Sequence, residues 1–151
     1  MSFFNAMNIA TTGMTAQRFR LDIITENIVN VNTTRTADGG GAYQRKTVLM
    51  EAIDGSGTFQ ESLEKQLGLN KNVSDVKGVQ VTQIVKDNSN MPVVYDPTHP
   101  DADIDGYVTM PNVDIVTEMV DMISASRSYE ASVTAFNNLK AMNAKALELG
   151  Q

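Results

Sequence analysis

The run from Val113 to Leu149 contains neither glycine nor proline over 37 residues. A stretch that long with apolar residues three and four apart is the pattern of a single long helix. Ile115, Met119, Met122, Ser126, Tyr129, Val133 and Phe136 follow that spacing, and the stripe then slips one place to Leu139, Met142, Ala146 and Leu149. Val116, Val120 and Ile123 add a second apolar edge. At 1.5 Å per residue the helix spans roughly 55 Å, about twice the ~26 Å diameter of a compact 100-residue domain. It must project from the fold or bundle with another helix. Asn112 is the expected N-cap, Asp114 and Glu118 suit the positive helix start, and Gly150 is a natural stop.

The other end of the chain carries a matching seam. Met7, Ala10, Met14, Gln17, Leu21, Ile24, Ile28 and Val31 alternate in steps of three and four, predicting a helix from about Asn5 to Asn30. Gly13 weakens it by about 1 kcal/mol relative to alanine. The two seams can zip together within one chain or pack against neighbouring chains, and the pattern leaves both open.

Between the helices the period changes from 3.6 to 2. Thr47–Ile53, Val79–Val85, Val93–Tyr95 and Tyr107–Met110 read as strands, with Val93–Tyr95 the return strand after a turn at 87–90. Residues 55–77 are polar and glycine-spotted, with a short helix expected near Phe59–Leu67. The expected fold is therefore mainly α with a small β insert (α+β). Residues 1–35 and 112–151 supply a coiled-coil-like bundle. Residues 36–111 supply a short β-hairpin or sheet domain with a mobile loop at 54–77.

Charge and composition exclude several functions. Asp and Glu outnumber Lys and Arg by 18 to 12, so no cationic face is expected for nucleic acid. Cysteine is absent, which removes thiolate metal sites and thiol chemistry. No segment approaches the ~20 apolar residues of a membrane span, so no direct membrane insertion is expected. No charged side chain precedes Arg18, and Asn5, Asn8, Thr11 and Thr12 interrupt the early apolar run, unlike a cleaved secretory signal. The charge is also uneven: residues 1–50 sum to +2 and residues 96–130 to −7.

No candidate chemistry completes itself. Asp101, Asp103 and Asp105, followed by Gly106, open like a calcium loop, but Asn112 stands where the bidentate glutamate belongs. Calcium binding through these three aspartates is the alternative function, together with a coiled-coil adaptor or export chaperone built on the same seams. His99 stands alone, without companions for a metal or hydrolytic triad, and is expected to bond a nearby carboxylate. Gly39-Gly40-Gly41 and Lys46-Thr47 lack phosphate-loop spacing. Catalytic, cofactor and metal sites are all expected to be absent, and an enzyme is not the expected reading.

Two longer motifs carry a family likeness. Leu21-Asp-Ile-Ile-Thr-Glu-Asn-Ile-Val-Asn-Val-Asn-Thr34, followed by Gly41-Ala-Tyr43, resembles the N-terminal signature of bacterial flagellar rod and hook proteins. Glu26 and Val29 replace two customary alanines there. Val94-Tyr-Asp-Pro-Thr-His-Pro-Asp-Ala-Asp-Ile-Asp-Gly-Tyr-Val108, with Glu118-Met-Val-Asp-Met-Ile-Ser-Ala-Ser-Arg-Ser-Tyr-Glu-Ala131, resembles the proximal-rod members of that family in particular.

The resemblance implies a subunit that stacks helically around an export channel, joins motor to hook and transmits torque. Its implied partners are copies of itself, neighbouring rod proteins and the flagellar export apparatus. Its implied place is the basal-body rod across the periplasm, reached without signal cleavage. The expected subunit-interface residues are Met14, Leu21, Ile24, Asn27, Ile28 and Asn30, then Met119, Met122, Arg127, Tyr129, Val133, Phe136 and Leu139. The charge split adds Arg18 or Arg20 of one subunit facing Asp114, Glu118 or Asp121 of the next.

Overall fold

A computed structural model describes residues 3–37, 41–53, 63, 66–67 and 78–148. The expected short helix at 59–67 and the mobile loop at 54–77 lie outside the described residues, apart from Leu63, Gln66 and Leu67. Helix α1 is Phe3–Val29 and helix α2 is Ile115–Glu148. Between them come β1 (Lys46–Ala52), β2 (Val79–Lys86), β3 (Val93–Tyr95) and β4 (Tyr107–Thr109). The expected α+β class, with two terminal helices and a small antiparallel insert, is the observed one.

Local chemistry sets the helix ends. Asp114, not Asn112, caps α2: its carboxylate accepts from the Val116 and Thr117 backbone N–H groups and from the Thr117 hydroxyl. Those donors, the Thr117 hydroxyl first, hold the Asp114 carboxyl below its usual range. Asn112 is occupied otherwise. Its Oδ1 accepts from Arg45 N–H at 2.8 Å, and its Nδ2 donates to the Asp87 carbonyl and Ser89 hydroxyl. At the far end of α1, Asn30 Nδ2 donates to the Glu26 carbonyl at 2.9 Å and closes the last turn.

The two helices zip together within one chain and run antiparallel. Gly13 faces Ser132, Arg20 meets Asp121 and Asn27 meets Glu118, so residue order reverses across the seam. The inward line of α2 is Glu118, Met122, Ala125, Tyr129, Ser132, Phe136, Leu139 and Asn143, all buried or half-buried in strict steps of four and three. Ile115 and Met119, expected on the seam, face outward instead. The reason is steric. Where the helices come closest, the seam takes small residues: Ala125 and Ala16 are buried, and a Cβ on Gly13 would sit 3.4 Å from Ser132 Oγ. A side chain at Gly13 would make an ordinary van der Waals contact across the seam.

The insert forms two separate hairpins. β1 pairs with β2, with a bulge between Leu49 and Met50, and that hairpin lies against α1. β3 pairs with β4 rather than returning onto β2. Asp87 N–H donates to Arg45 O at 2.8 Å and ends the first ladder, while Met110 N–H donates to Pro92 O at 2.8 Å and extends the second.

The first hairpin meets α1 tightly at Gly78. Thr12 Oγ1 accepts from Val79 N–H at 3.2 Å, and a Cβ on Gly78 would lie 2.2 Å from that same oxygen. Gly78 also holds φ at 129°, in the region that disfavours a side chain. Gly78→Ala should therefore destabilise the fold by about 2–3 kcal/mol, from strain together with the displaced hydroxyl. Urea unfolding measures this, and a loss below about 0.5 kcal/mol would mean the strand start moves freely off the helix.

Candidate functional site

Among the described residues a buried polar constellation lies where α1, β1 and α2 converge. Asn27 is 1% exposed and Glu118 is 0% exposed. A buried amide and carboxylate are tolerated only if their hydrogen-bonding capacity is used. Asn27 uses all of it. Its Oδ1 accepts from Lys46 N–H at 2.9 Å and from the Tyr43 hydroxyl at 3.0 Å. Its Nδ2 donates to Lys46 O at 2.9 Å and to Glu118 Oε2 at 3.0 Å. The amide thus pairs with the start of β1 much as a neighbouring strand would.

Arg45 completes the centre. Its Nε donates to Glu118 Oε1 at 2.6 Å, and its Nη atoms reach Thr47 at 3.1 Å, Asp121 at 3.5 Å and Asp87 at 3.8 Å. Arg20 approaches Asp121 from α1 at 3.3 Å. Lys46 pairs with Glu26 and lies 5.5 Å from the centre of the Tyr43 ring. A cleft of about 310 Å³ opens beside this network, lined by Ile23, Ile24, Val48 and Met50 together with its charged groups.

Burial, then the carboxylates of Glu26 and Glu118, pushes the Tyr43 hydroxyl from 10.0 up to about 12. The folded chain holds this proton more tightly than the unfolded chain. The stability so contributed is present in full below pH 10 and is lost as pH rises through about 12. A tyrosinate absorbance titration should show a late step near pH 12 that Tyr43→Phe removes. If the late step persists in that variant, the hydroxyl is not held by this network.

The expected interface residues divide into three groups. Ile24, Asn27 and Glu118 are buried inside the chain. Met14, Arg20, Leu21, Ile28, Asn30, Asp121, Met122, Tyr129, Val133, Phe136 and Leu139 are half-buried. Arg18, Asp114, Met119 and Arg127 are exposed. Within the chain Arg20 meets Asp121 and Glu118 meets Arg45, while Arg18 and Asp114, also expected to pair between subunits, are exposed. Arg45 and Tyr43 are not among the site residues expected from sequence, and Asn112 is expected there only as a helix cap.

The acidic turn does not gather a ligand set. Arg35 binds Asp101 Oδ1 at 2.7 Å and Thr34 Oγ1 donates to its Oδ2 at 2.7 Å. Asp103 Oδ1 accepts from the N–H of Ile104. Among the described residues no three His, Cys, Asp or Glu side chains stand together as metal ligands. His99 Nδ1 accepts from Asp101 N–H at 3.1 Å, so it bonds the backbone rather than a carboxylate.

The outward side of α2 carries an exposed apolar stripe. Val116 is 68% exposed, and Ile115, Met119, Val120 and Ile123 share the outward side of α2 with it. An apolar patch of several adjacent side chains marks an interaction surface. No helix among the described residues is long and apolar enough to cross a membrane.

Comparison with known proteins agrees in its boundaries with this architecture. The family model described as "Flagella basal body rod protein" matches residues 7–35, which take in most of α1 and its exit. The model described as "Flagellar basal body rod FlgEFG protein C-terminal" matches residues 104–149, which include β4 and α2. The flagellar basal-body rod protein FlgC of Bacillus subtilis is 43% identical over 154 residues, covering all of both chains. That of Borreliella burgdorferi is 43% identical over 159 residues, covering all of this chain and 99% of the relative. That of Salmonella typhimurium is 35% identical over 153 residues, again covering all of both.

Proposed function

Because this chain belongs to the FlgC family of flagellar basal-body rod proteins, we propose that its helix pair forms the inner wall of a helical tube around the export channel. The chain is a structural subunit of the basal-body rod, not an enzyme, and it assembles with other rod components. The observation that carries this reading is the end-to-end correspondence with FlgC relatives. The finer picture adds that the rod spans the periplasm and that subunits arrive through the flagellar export apparatus without cleavage of a signal. In that picture residues 1–35 and 112–151 form the tube and residues 36–111 lie outside it.

The geometry supports the assignment in two ways. α1 and α2 bury their shared seam within the subunit, so a folded unit exists to be stacked. The outward stripe from Ile115 to Ile123, with Arg127 one turn beyond it, then remains for a neighbour. The interface proposal accordingly moves to Met119, Val116, Val120, Ile123 and Arg127, while Ile24, Asn27 and Asn30 shape the subunit that carries them.

Deleting the chain from its bacterium should abolish motility and leave basal bodies without a complete rod, and restoring it should restore both. Electron microscopy of isolated basal bodies and swimming assays read the result. Rods that form normally in its absence, or basal bodies that never contain the chain, would overturn the assignment.

A further inference from the structure

Ile104 is 101% exposed, the highest value among the described large apolar side chains. It stands on a stiff tip. Gly106 N–H donates to Asp103 O at 2.8 Å, Asp103 N–H donates to Tyr107 O at 2.9 Å, and Ile104 N–H donates to Asp103 Oδ1 at 2.8 Å. Gly106 holds φ at 81° with Tyr95 and Pro97 packed where a side chain would go. A single exposed isoleucine is ordinary on a protein surface. One fixed at a turn tip between two exposed carboxylates, Asp103 and Asp105, is a shaped knob. Neither aspartate forms an ion pair among the described residues.

The cleft beside Arg45 has the complementary character. Its 310 Å³ lies at the lower end of the roughly 300–1,000 Å³ of binding clefts. Its apolar lining is Ile23, Ile24, Val48 and Met50, and its lining cations are Arg20, Arg45 and Lys46 against Glu118 and Asp121. Arg20 and Arg45 share Asp121 at 3.3 and 3.5 Å. Only Nη2 of Arg20 has a partner among the described residues, so most of its five donors remain for another carboxylate. Ile104, wholly exposed, does not occupy the cleft of its own chain.

We infer that the Asp103–Asp105 tip of one copy seats in this cleft of the next copy, with Ile104 against the apolar lining and the carboxylates toward the unused donors of Arg20. The inference rests on the rod-subunit reading and names the contact between copies. Tip and cleft are different surfaces of one chain, so the contact is heterologous and propagates along a stack instead of closing a two-fold dimer. The unused donors of Arg20 favour encounter with the acidic tip, while two acidic tips repel each other, so head-to-tail contact is favoured over tip against tip.

The chain has no cysteine, so engineered thiols meet no native one within it. Thr47 lines the cleft, and both Thr47 and Ile104 are exposed; Thr47→Cys gives up the hydroxyl that accepts from Arg45, so thermal unfolding of the variant is compared with wild type before oxidation. The full chain carrying Thr47→Cys and Ile104→Cys, expressed in place of the wild type, should give a ladder of cross-linked copies when isolated basal bodies are oxidised. Each single variant should give none. Basal bodies that contain the double variant without a ladder, or that cross-link equally through Ile104→Cys and Val120→Cys, overturn the inference while leaving the rod assignment standing. Absence of the wild-type chain from basal bodies would instead overturn the assignment. As a second measurement, Ile104→Asp should lower incorporation at least tenfold while Ile104→Val should not, and equal incorporation of the two overturns the knob.

Discussion

Asn27→Ala should lower the free energy of unfolding by about 3–5 kcal/mol, an unusually large loss for one polar side chain. The size follows from what the amide leaves behind. Lys46 loses a partner for both its N–H and its carbonyl, the Tyr43 hydroxyl loses its acceptor, and Glu118 loses one of two donors. Each buried group without a partner costs about 1–3 kcal/mol, reduced wherever water can enter the space. Asn27→Asp tests the same point at constant size. It removes both Nδ2 donors and sets a second carboxylate beside Glu118, and should cost at least as much as alanine at pH 7. Glu118→Ala should fall in the same range, because it strips the closest partner from the Arg45 guanidinium. Urea unfolding curves measure all three. A cost below about 1 kcal/mol for Asn27→Ala would mean that water replaces the amide and that β1 is held to the helices by apolar contact alone.

The large elements were legible because their signals are long. A glycine- and proline-free run with a 3.6 period gives α2, and alternation between turn residues gives all four strands. What stayed hidden were the pairings that depend on side chains far apart in sequence. The seam of α2 is the clearest case. Hydrophobicity alone picks Ile115 and Met119, but the inward line runs through Glu118, Ala125 and Ser132. Close helix packing selects small residues, and a buried acid is acceptable only because Arg45 and Asn27 wait on other elements. No local pattern reports either fact. The charge asymmetry was similarly visible as a sum but not as a geometry. Basic and acidic stretches do meet, yet Arg20–Asp121 and Arg45–Glu118 join parts of one chain. Asn112 shows the same limit at a helix start. It has the composition of a cap, but three tertiary hydrogen bonds claim it, and Asp114 two residues later does the capping.

Val116→Asp combined with Val120→Asp should abolish rod assembly while leaving the monomer almost untouched. Both side chains are exposed on the outward side of α2, so the folded monomer loses little packing, and each change should stay within about 0.5 kcal/mol. Position 116 also falls in the first turn of the helix, where a negative charge is favoured by the helix dipole. In a stacked rod the same two positions would be covered by a neighbour. Burying an unpaired carboxylate costs several kcal/mol, and two together should weaken subunit contact by roughly a thousandfold or more. Ile28→Asp cannot make this separation, because Ile28 is already half-buried in the lone chain and its loss would disturb folding and assembly together. Thr134→Asp, on an exposed position farther along α2, supplies the control for added charge. The measurements are thermal unfolding of the purified chain and incorporation into basal bodies. A double variant with wild-type melting and no incorporation is the expected result. Normal motility from that variant would show that the outward stripe of α2 faces solvent in the rod and that the contact between subunits lies elsewhere.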